Sequence, residues 1–483
     1  MNASPMWVYL YAGGAVAITA LTALTSAHVL LHKRDARAAV AWIGFVWLAP
    51  LLGVFVYWAF GVNRIRRRAH LLFAGRETPE LAPGDAAVTP SQVEELLGSA
   101  HPALDNLAEL GERVTSLPLM AGNRVDPLVN GDEAYPRMLE AVEAAAESVS
   151  LSTYIFDNDA WGRRFREALA AAVARGVEVR VLVDDVGARY SMPSIVGGLR
   201  RDGVTTARFM RSLWPWRFRY YNLRSHRKIL VADGRVGFTG GMNIRAGHVL
   251  REAGRHPVKD LHFRIEGPVV AELQKAFADD WKFTAGETLE GPRWFPPVEP
   301  CGPTIARAIS DGPDEDFDKL RLILLGALAC AQRSVRVATP YFLPDSELAA
   351  GLQVAALRGV RVEVVLPEEN NLTLVRWAST AALEDLEPRC RVFLVPPPFD
   401  HSKVMVVDDA WVLLGSANWD SRSLLLNFEL NVECYDPDLA VRVNRVLESK
   451  LTMAREVTAA QLRARPLPAR LRDRFFRLFS PYL

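Results

Sequence analysis

The chain has 483 residues, room for two sizeable cores plus appendages rather than one ordinary domain. Half of the residues are hydrophobic, high for a soluble protein, while 57 Lys and Arg against 56 Asp and Glu leave a formal net charge of +1. That balance excludes a global field that would draw the protein onto nucleic acid. Four dispersed cysteines, Cys301, Cys330, Cys390 and Cys434, form no Cys-x-x-Cys pair and have no His at zinc spacing, so they read as buried or idle thiols.

From Asn2 to Leu31 there is no Asp, Glu, Lys or Arg, and Trp7 to Leu31 is long and apolar enough to cross a bilayer as a helix. After the charged turn His32–Arg37 a second uncharged stretch, Ala38 to Gly61, has the length of another span, with Trp42, Trp47, Tyr57 and Trp58 suited to headgroup level. The expectation is a transmembrane hairpin over residues 1–68, in a cell membrane of the bacterial inner-membrane kind. Arg64, Arg66, Arg67 and Arg68 follow the second span, against Lys33, Arg34 and Arg37 in the turn. The positive-inside rule therefore leans toward a cytoplasmic catalytic region. Residues 69–122 mix Pro, Gly, Glu and Ala and read as a connecting region with one helical pattern near Ser91 to Leu110.

Beyond that point the sequence repeats itself. SVSLSTYIF near Ser148 answers SVRVATPYF near Ser334; RGVEVRVLV from Arg175 answers RGVRVEVVL from Arg358; HRKILVADGRVGFTGGMN from His226 answers HSKVMVVDDAWVLLGSAN from His401 without a gap. DLHFRIEG near Asp260 and ELNVECYD near Glu429 each give an alternating strand leading into a helix. The expected fold is α/β: two duplicated units, 123–295 and 296–483, with helices on both faces of mixed, mostly parallel sheets, behind the hairpin. A pseudo-twofold relation between the units would bring equivalent loops into one composite site.

Each copy carries His-x-Lys, four residues, Asp, and a small-residue turn ending in Asn. These are His226, Lys228, Asp233, Gly240, Gly241 and Asn243, then His401, Lys403, Asp408, Gly415, Ser416 and Asn418. Side chains two apart on a strand share a face, so His and Lys point together. Lysine supplies charge to a phosphate oxygen, the Asn amide donates a further hydrogen bond, and a neutral imidazole attacks phosphorus while a second moves the proton. Asp233 and Asp408 complete each motif and are counted with its His and Lys in the catalytic set, with tying the strand ends as their expected part. The chemistry requires no metal and no cofactor, and no Asp/Glu/His cluster of metal spacing stands out.

The duplicated motif resembles the signature of the phospholipase D superfamily. The two-span leader followed by NRIRRRA, the tract HRKILVADGRVGFTGGMNI, the tract RSLLLNFELNVECYD and the terminal SPYL resemble its bacterial cardiolipin synthase branch. The resemblance implies a phosphatidyltransferase that joins two phosphatidylglycerol molecules into cardiolipin, releasing glycerol, through a covalent phosphohistidine. Within that scheme His226 is the nucleophile and His401 the acid and base, Lys228, Asn243, Lys403, Ser416 and Asn418 bind phosphate, and Asp260 and Glu429 orient the imidazoles. The first copy has Gly241 where the second has Ser416, so a hydroxyl contact to phosphate would exist on one side only.

Two tracts bear on the substrate. RSLWPWRFRYYNLR from Arg211 interleaves Arg with aromatic rings, which suits either a nucleic acid or a membrane interface. The adjacent anchor favours phospholipid and the bilayer as partners, and no nucleic acid. RARPLPARLRDRFFRLFSPYL at the carboxyl end is either an interfacial amphipathic helix or a terminal helix packed on the second unit. Hydrolysis by a membrane-bound phospholipase D, a phosphodiesterase or nuclease of the superfamily, and a noncatalytic scaffold are the alternatives. The sequence is silent on oligomeric state.

Overall fold

An uncharged apolar run has one stable conformation in lipid, a helix whose backbone hydrogen bonds are all internal. Such a helix, α1, covers Pro5–His32 in the computed structural model, which describes residues 5–33, 36–61, 86–98, 101, 103–211, 223–252, 254, 256–313, 318–386 and 389–480. Its stretch Tyr9–His32 is the one helix among the described residues long and apolar enough to cross a membrane.

The second uncharged stretch is not the single helix expected of it. Helix α2, Ala36–Leu48, ends where Ala49 leaves helical backbone (φ −137°, ψ 72°), and Pro50 opens α3, Pro50–Val56, followed by one wide turn over Tyr57–Gly61. Proline lacks an N–H and bars the preceding residue from the helical region, which is why the break falls here. These pieces are tied back to α1 by polar contacts. Trp47 Nε1 donates to Ser26 Oγ (3.1 Å), Trp58 Nε1 donates to Thr25 Oγ1 (3.2 Å), and His28 Nδ1 lies 2.8 Å from the Tyr57 hydroxyl. Interhelical bonds of this kind, with close packing, do in lipid what apolar burial does in water. The arginine cluster Arg64–Arg68 and the aromatic tract 212–222 lie outside the described residues.

The chain divides into two compact units, Met1–Leu71 and Leu72–Leu483, and the second holds the repeat. Its first copy contributes strands β1 (Leu119–Val129), β2 (Ser148–Thr153), β3 (Glu178–Asp184), β4 (Thr205–Phe209), β5 (Ile229–Ala232), β6 (Val236–Gly240) and β7 (Leu261–Glu266). The other copy contributes β8 (Thr304–Asp311), β9 (Ser334–Ala338), β10 (Arg361–Pro367), β11 (Arg391–Val395), β12 (Val404–Val407), β13 (Trp411–Gly415) and β14 (Asn427–Tyr435). Hydrogen bonding orders the first set β1-β7-β6-β5-β2-β3-β4 and the second set β8-β14-β13-β12-β9-β10-β11, element for element the same. The sheets are mixed, as expected, but not mostly parallel. Only β2-β3-β4 and β9-β10-β11 run parallel, because only those strands are joined by helical crossovers; the motif strands are hairpins.

Helices α4 (Asn130–Ala144) and α5 (Ala160–Ala174) cover one face of the first sheet, and α7 (Lys319–Cys330) and α8 (Ser346–Leu357) the matching face of the second. The remaining helix of each copy, α6 (Val270–Ala285) and α10 (Pro437–Leu451), enters a core shared by both sheets, where Phe277 and Trp281 join Leu439, Val443 and Leu447. Strands β1 and β8 also pair with each other, so the two copies form one body. The sequence RGV fixes the crossover turn twice over. Gly176 (φ +89°) and Gly359 (φ +92°) end α5 and α8 in the left-handed region that a side chain would oppose.

Two segments differ in character from their sequence description. Within the connecting region, helices Pro90–Leu97 and Leu104–Thr115 bury Val93, Leu97, Leu104 and Leu107 in the core of the second copy, and β1 begins before residue 123. At the carboxyl end, α11 (Leu467–Arg477) packs on α9 (Thr373–Leu386), with Phe476 5.1 Å from Trp377 and Arg470 and Arg474 paired to Glu384. Leu467, Leu471, Phe475 and Leu478 face outward from it.

Candidate active site

Each motif histidine is reached through a short bridge to the other copy. Arg224–Ser225 pairs in parallel with Asn427–Phe428, and the His226 amide donates to the Phe428 carbonyl (2.9 Å). Symmetrically, Phe399–Asp400 pairs with Val258–Lys259, and the His401 amide donates to the Lys259 carbonyl (2.8 Å). The next residue after each of those carbonyls is an acid: Glu429 after Phe428, Asp260 after Lys259.

The acids therefore serve the opposite histidines. His226 Nδ1 stands 3.0 Å from both carboxylate oxygens of Glu429 and 3.1 Å from the Ser416 carbonyl, and His401 Nδ1 stands 3.0 Å from Asp260 Oδ2. All these partners are acceptors, so Nδ1 carries the proton and Nε2 keeps the lone pair. Each acid follows one motif in sequence and serves the histidine of the other, because each bridge strand runs into the partner motif.

Burial sets the charge states. It holds the His226 imidazole down to about 4 against the opposing pull of Glu429, and holds His401 well below its ordinary value, with Lys403 adding to the effect. Both rings are neutral near pH 7. Burial pushes the Glu429 carboxyl up, but His226, Lys228 and the Ser416 hydroxyl outweigh it and leave the group below its usual value. Asp260 goes the other way, raised by burial despite Lys403. Lys228 and Lys403 each donate to the carbonyl of their own motif histidine (2.6 Å in both copies), and burial lowers them to about 7 and about 8.

His226 and His401 open into a single cavity of about 370 Å³, with walls drawn from both copies, including Asn243 and Asn418. Asn243 Oδ1 accepts from the Ile155 amide (3.0 Å), and Asn418 Nδ2 donates to Ser423 Oγ (3.1 Å). Ser416 departs from its expected place. It is fully buried, and its hydroxyl donates to Glu429 (2.5 Å) and accepts from the Leu430 amide (3.0 Å), so it braces the carboxylate instead of meeting phosphate. At Gly241 a Cβ would overlap the Asp260 carboxylate. One copy thus fills this position with a hydroxyl that bonds its acid, and the other leaves it empty to admit the acid itself.

Asp233 and Asp408, the acids of the motif, lie away from the cavity. Asp233 accepts from the amides of Ala146, Glu147 and Ser148, and Asp408 from those of Gln332, Arg333 and Ser334. Both take left-handed backbone at the hairpin between motif strands (φ +50° and +53°) and hold the start of the neighbouring parallel strand.

A family model described as cardiolipin synthase, PLD-like domain, matches residues 138–281 and 324–451, and one described as phospholipase D-nuclease N-terminal matches 20–61. Cardiolipin synthase A of Pseudomonas fluorescens Pf-5 is 33% identical over 95% of this chain and 96% of its own, and that of Pseudomonas aeruginosa LESB58 is 32% identical over 97% and 95%. The chain belongs to the cardiolipin synthase family of the phospholipase D superfamily. Its fold is shared by phosphatidylserine synthase of Haemophilus influenzae, at 14% identity and a TM-score of 0.62 over 78% of this chain and all of that one.

In this member of the family several cavity residues escaped the sequence reading. Tyr154 and Tyr341 follow the first parallel strand of each copy and set their rings edge-on to His226 and His401, at 5.6 and 6.3 Å. The strand repeat SVSLSTY/SVRVATPY carried that signal. Arg245, His248 and Arg422 also line the cavity, but they lie beyond the motif Asn, where the copies cease to match, so internal comparison gave no sign of them.

Proposed function

We propose that the protein is a cardiolipin synthase that transfers a phosphatidyl group from one phosphatidylglycerol to the hydroxyl of another, giving cardiolipin and glycerol. The observation that carries this reading is one cavity holding two neutral imidazoles, each backed by a carboxylate from the opposite copy. His226, held by the ionised Glu429, attacks phosphorus through Nε2 as the bond to glycerol oxygen breaks. His401 gives that oxygen its proton. The phosphodiester anion between Lys228 and Lys403 favours a protonated imidazole at His401. In the second half His401 takes the proton from the incoming hydroxyl as the new O–P bond forms and the N–P bond breaks. Asn243 and Asn418 bind the phosphate oxygens.

The first unit anchors the enzyme. We read residues 1–68 as a two-span hairpin whose second span is broken at Pro50, with the two duplicated units on the cytoplasmic side. The outward stripe of α11 then lies among headgroups, with its arginine side held to α9.

Purified protein with phosphatidylglycerol in detergent tests the reading. Cardiolipin and free glycerol in equal amounts are expected; phosphatidic acid would make the enzyme a phospholipase, and no product would leave the fold without this chemistry.

A further inference from the structure

His248 ends a short turn, Ala246–His248, five residues after Asn243. The ring is 2% exposed, forms part of the cavity wall, and its Nδ1 is buried without a hydrogen-bond partner. The nearest acid, Asp260 Oδ2, is 4.0 Å away, too far for a hydrogen bond and already engaged by His401. The position five after the motif Asn in the second copy is Ser423, whose hydroxyl is used within the protein as the acceptor for Asn418. So the two copies differ here: one polar group serves the fold, and the other belongs to a ring on the cavity wall whose Nδ1 is buried without a partner. A buried polar atom left unpaired costs stability, so a histidine kept on the cavity wall at that cost calls for a reason in the chemistry of the cavity.

The position says which part of the ligand. His248 and His401 stand with ring centroids 6.4 Å apart, both beside Asp260. Displacement at phosphorus is in line, so the alcohol leaves and enters on the side away from the nucleophile. With His226 attacking, that side belongs to His401. A neutral imidazole offers one donor and one acceptor, which matches a hydroxyl and gives no charge to a cationic headgroup.

We propose that His248 binds the second hydroxyl of a vicinal diol whose first hydroxyl reacts at His401, making it a specificity residue for polyol acceptors such as glycerol. The proposal rests on the reading above in one respect, that His401 faces the alcohol. Full-length protein in detergent, given phosphatidylglycerol with labelled glycerol and ethanol together, partitions one phosphatidyl-enzyme between the two alcohols. The ratio of labelled phosphatidylglycerol to phosphatidylethanol cancels the first step and any loss of folded enzyme.

In His248→Ala the ratio falls about tenfold, the size of one neutral hydrogen bond, and His248→Asn, which keeps an amide near the Nδ1 position, recovers most of it. If His248→Ala proves inactive, His248→Ser supplies the ratio. An unchanged ratio, with both rates lowered together or neither, overturns the proposal. Trapping of labelled phosphate on His401 instead of His226 would overturn the choice of face, and that outcome is read separately from the ratio.

Discussion

The two halves of the cavity share one scaffold strand for strand and differ in how each carboxylate is held. Behind His226, Glu429 receives the Ser416 hydroxyl, an Asn427 amide (3.2 Å) and the imidazole, and is drawn toward the ionised form. Behind His401, Asp260 takes the room that Gly241 vacates, accepts the Leu261 amide (2.8 Å), and is pushed the other way by burial. Duplication supplied two equivalent imidazoles, and in the proposed scheme the unequal environments of their acids separate a nucleophile from a proton carrier. The general lesson is that paired titratable groups take distinct roles when their surroundings push them apart.

The largest effect that would break this comparison is at the histidines. His226→Ala and His401→Ala each lower turnover of phosphatidylglycerol by about 10⁴-fold or more, and an unaffected rate in either would end the two-imidazole scheme. Next come the acids. Glu429→Gln costs about 10³-fold and Asp260→Asn about 10²-fold in kcat, with KM little changed, since each fixes a tautomer rather than touching substrate. Equal losses would erase the inferred asymmetry. Ser416→Ala is expected to cost about tenfold in kcat through Glu429. A rise in KM at constant kcat would instead return Ser416 to phosphate binding.

The motif acids test the division between chemistry and fold. Asp233→Ala and Asp408→Ala each leave three amides without an acceptor and lower stability by about 2–4 kcal/mol, read as a fall in Tm, while kcat of the folded fraction stays within a few fold. The smallest effect is in pH. Lys228 and Lys403 lose their charge as pH rises through about 7 and about 8, so KM for the anionic lipid climbs over that range. His226 stays neutral down to about 4, so attack fails only as pH falls through that value.

Much of this was legible from the residues. The gapless repeat around His226 and His401 gave the duplicated strands and the converging imidazoles; it also counted Asp233 and Asp408 in the catalytic set, whereas the structure has them holding strand-end amides outside the cavity lining. The glycine within each RGV turn marked both crossovers. What was not legible depended on pairing between copies. No spacing rule says that the strand of Glu429 runs parallel to the residues leading into the other motif, so its service to His226 appears only when the bridge strands are seen. Periodicity likewise misjudged the sheets, since a buried hairpin and a buried parallel strand are both short apolar runs. Pro50 inside an otherwise apolar stretch was visible, and the break between α2 and α3 follows from its missing N–H.

The central claim is that two imidazoles meet at one phosphorus, one attacking and one moving the proton. A phosphatidyl ester of p-nitrophenol needs no proton on its leaving group, so it separates the roles. The account predicts that His401→Ala, mixed with this ester and quenched in alkali, releases a burst of one nitrophenolate per protein and carries the phosphatidyl group on His226, while His226→Ala gives no burst. A burst in the His226 variant, or none in the His401 variant, would contradict it.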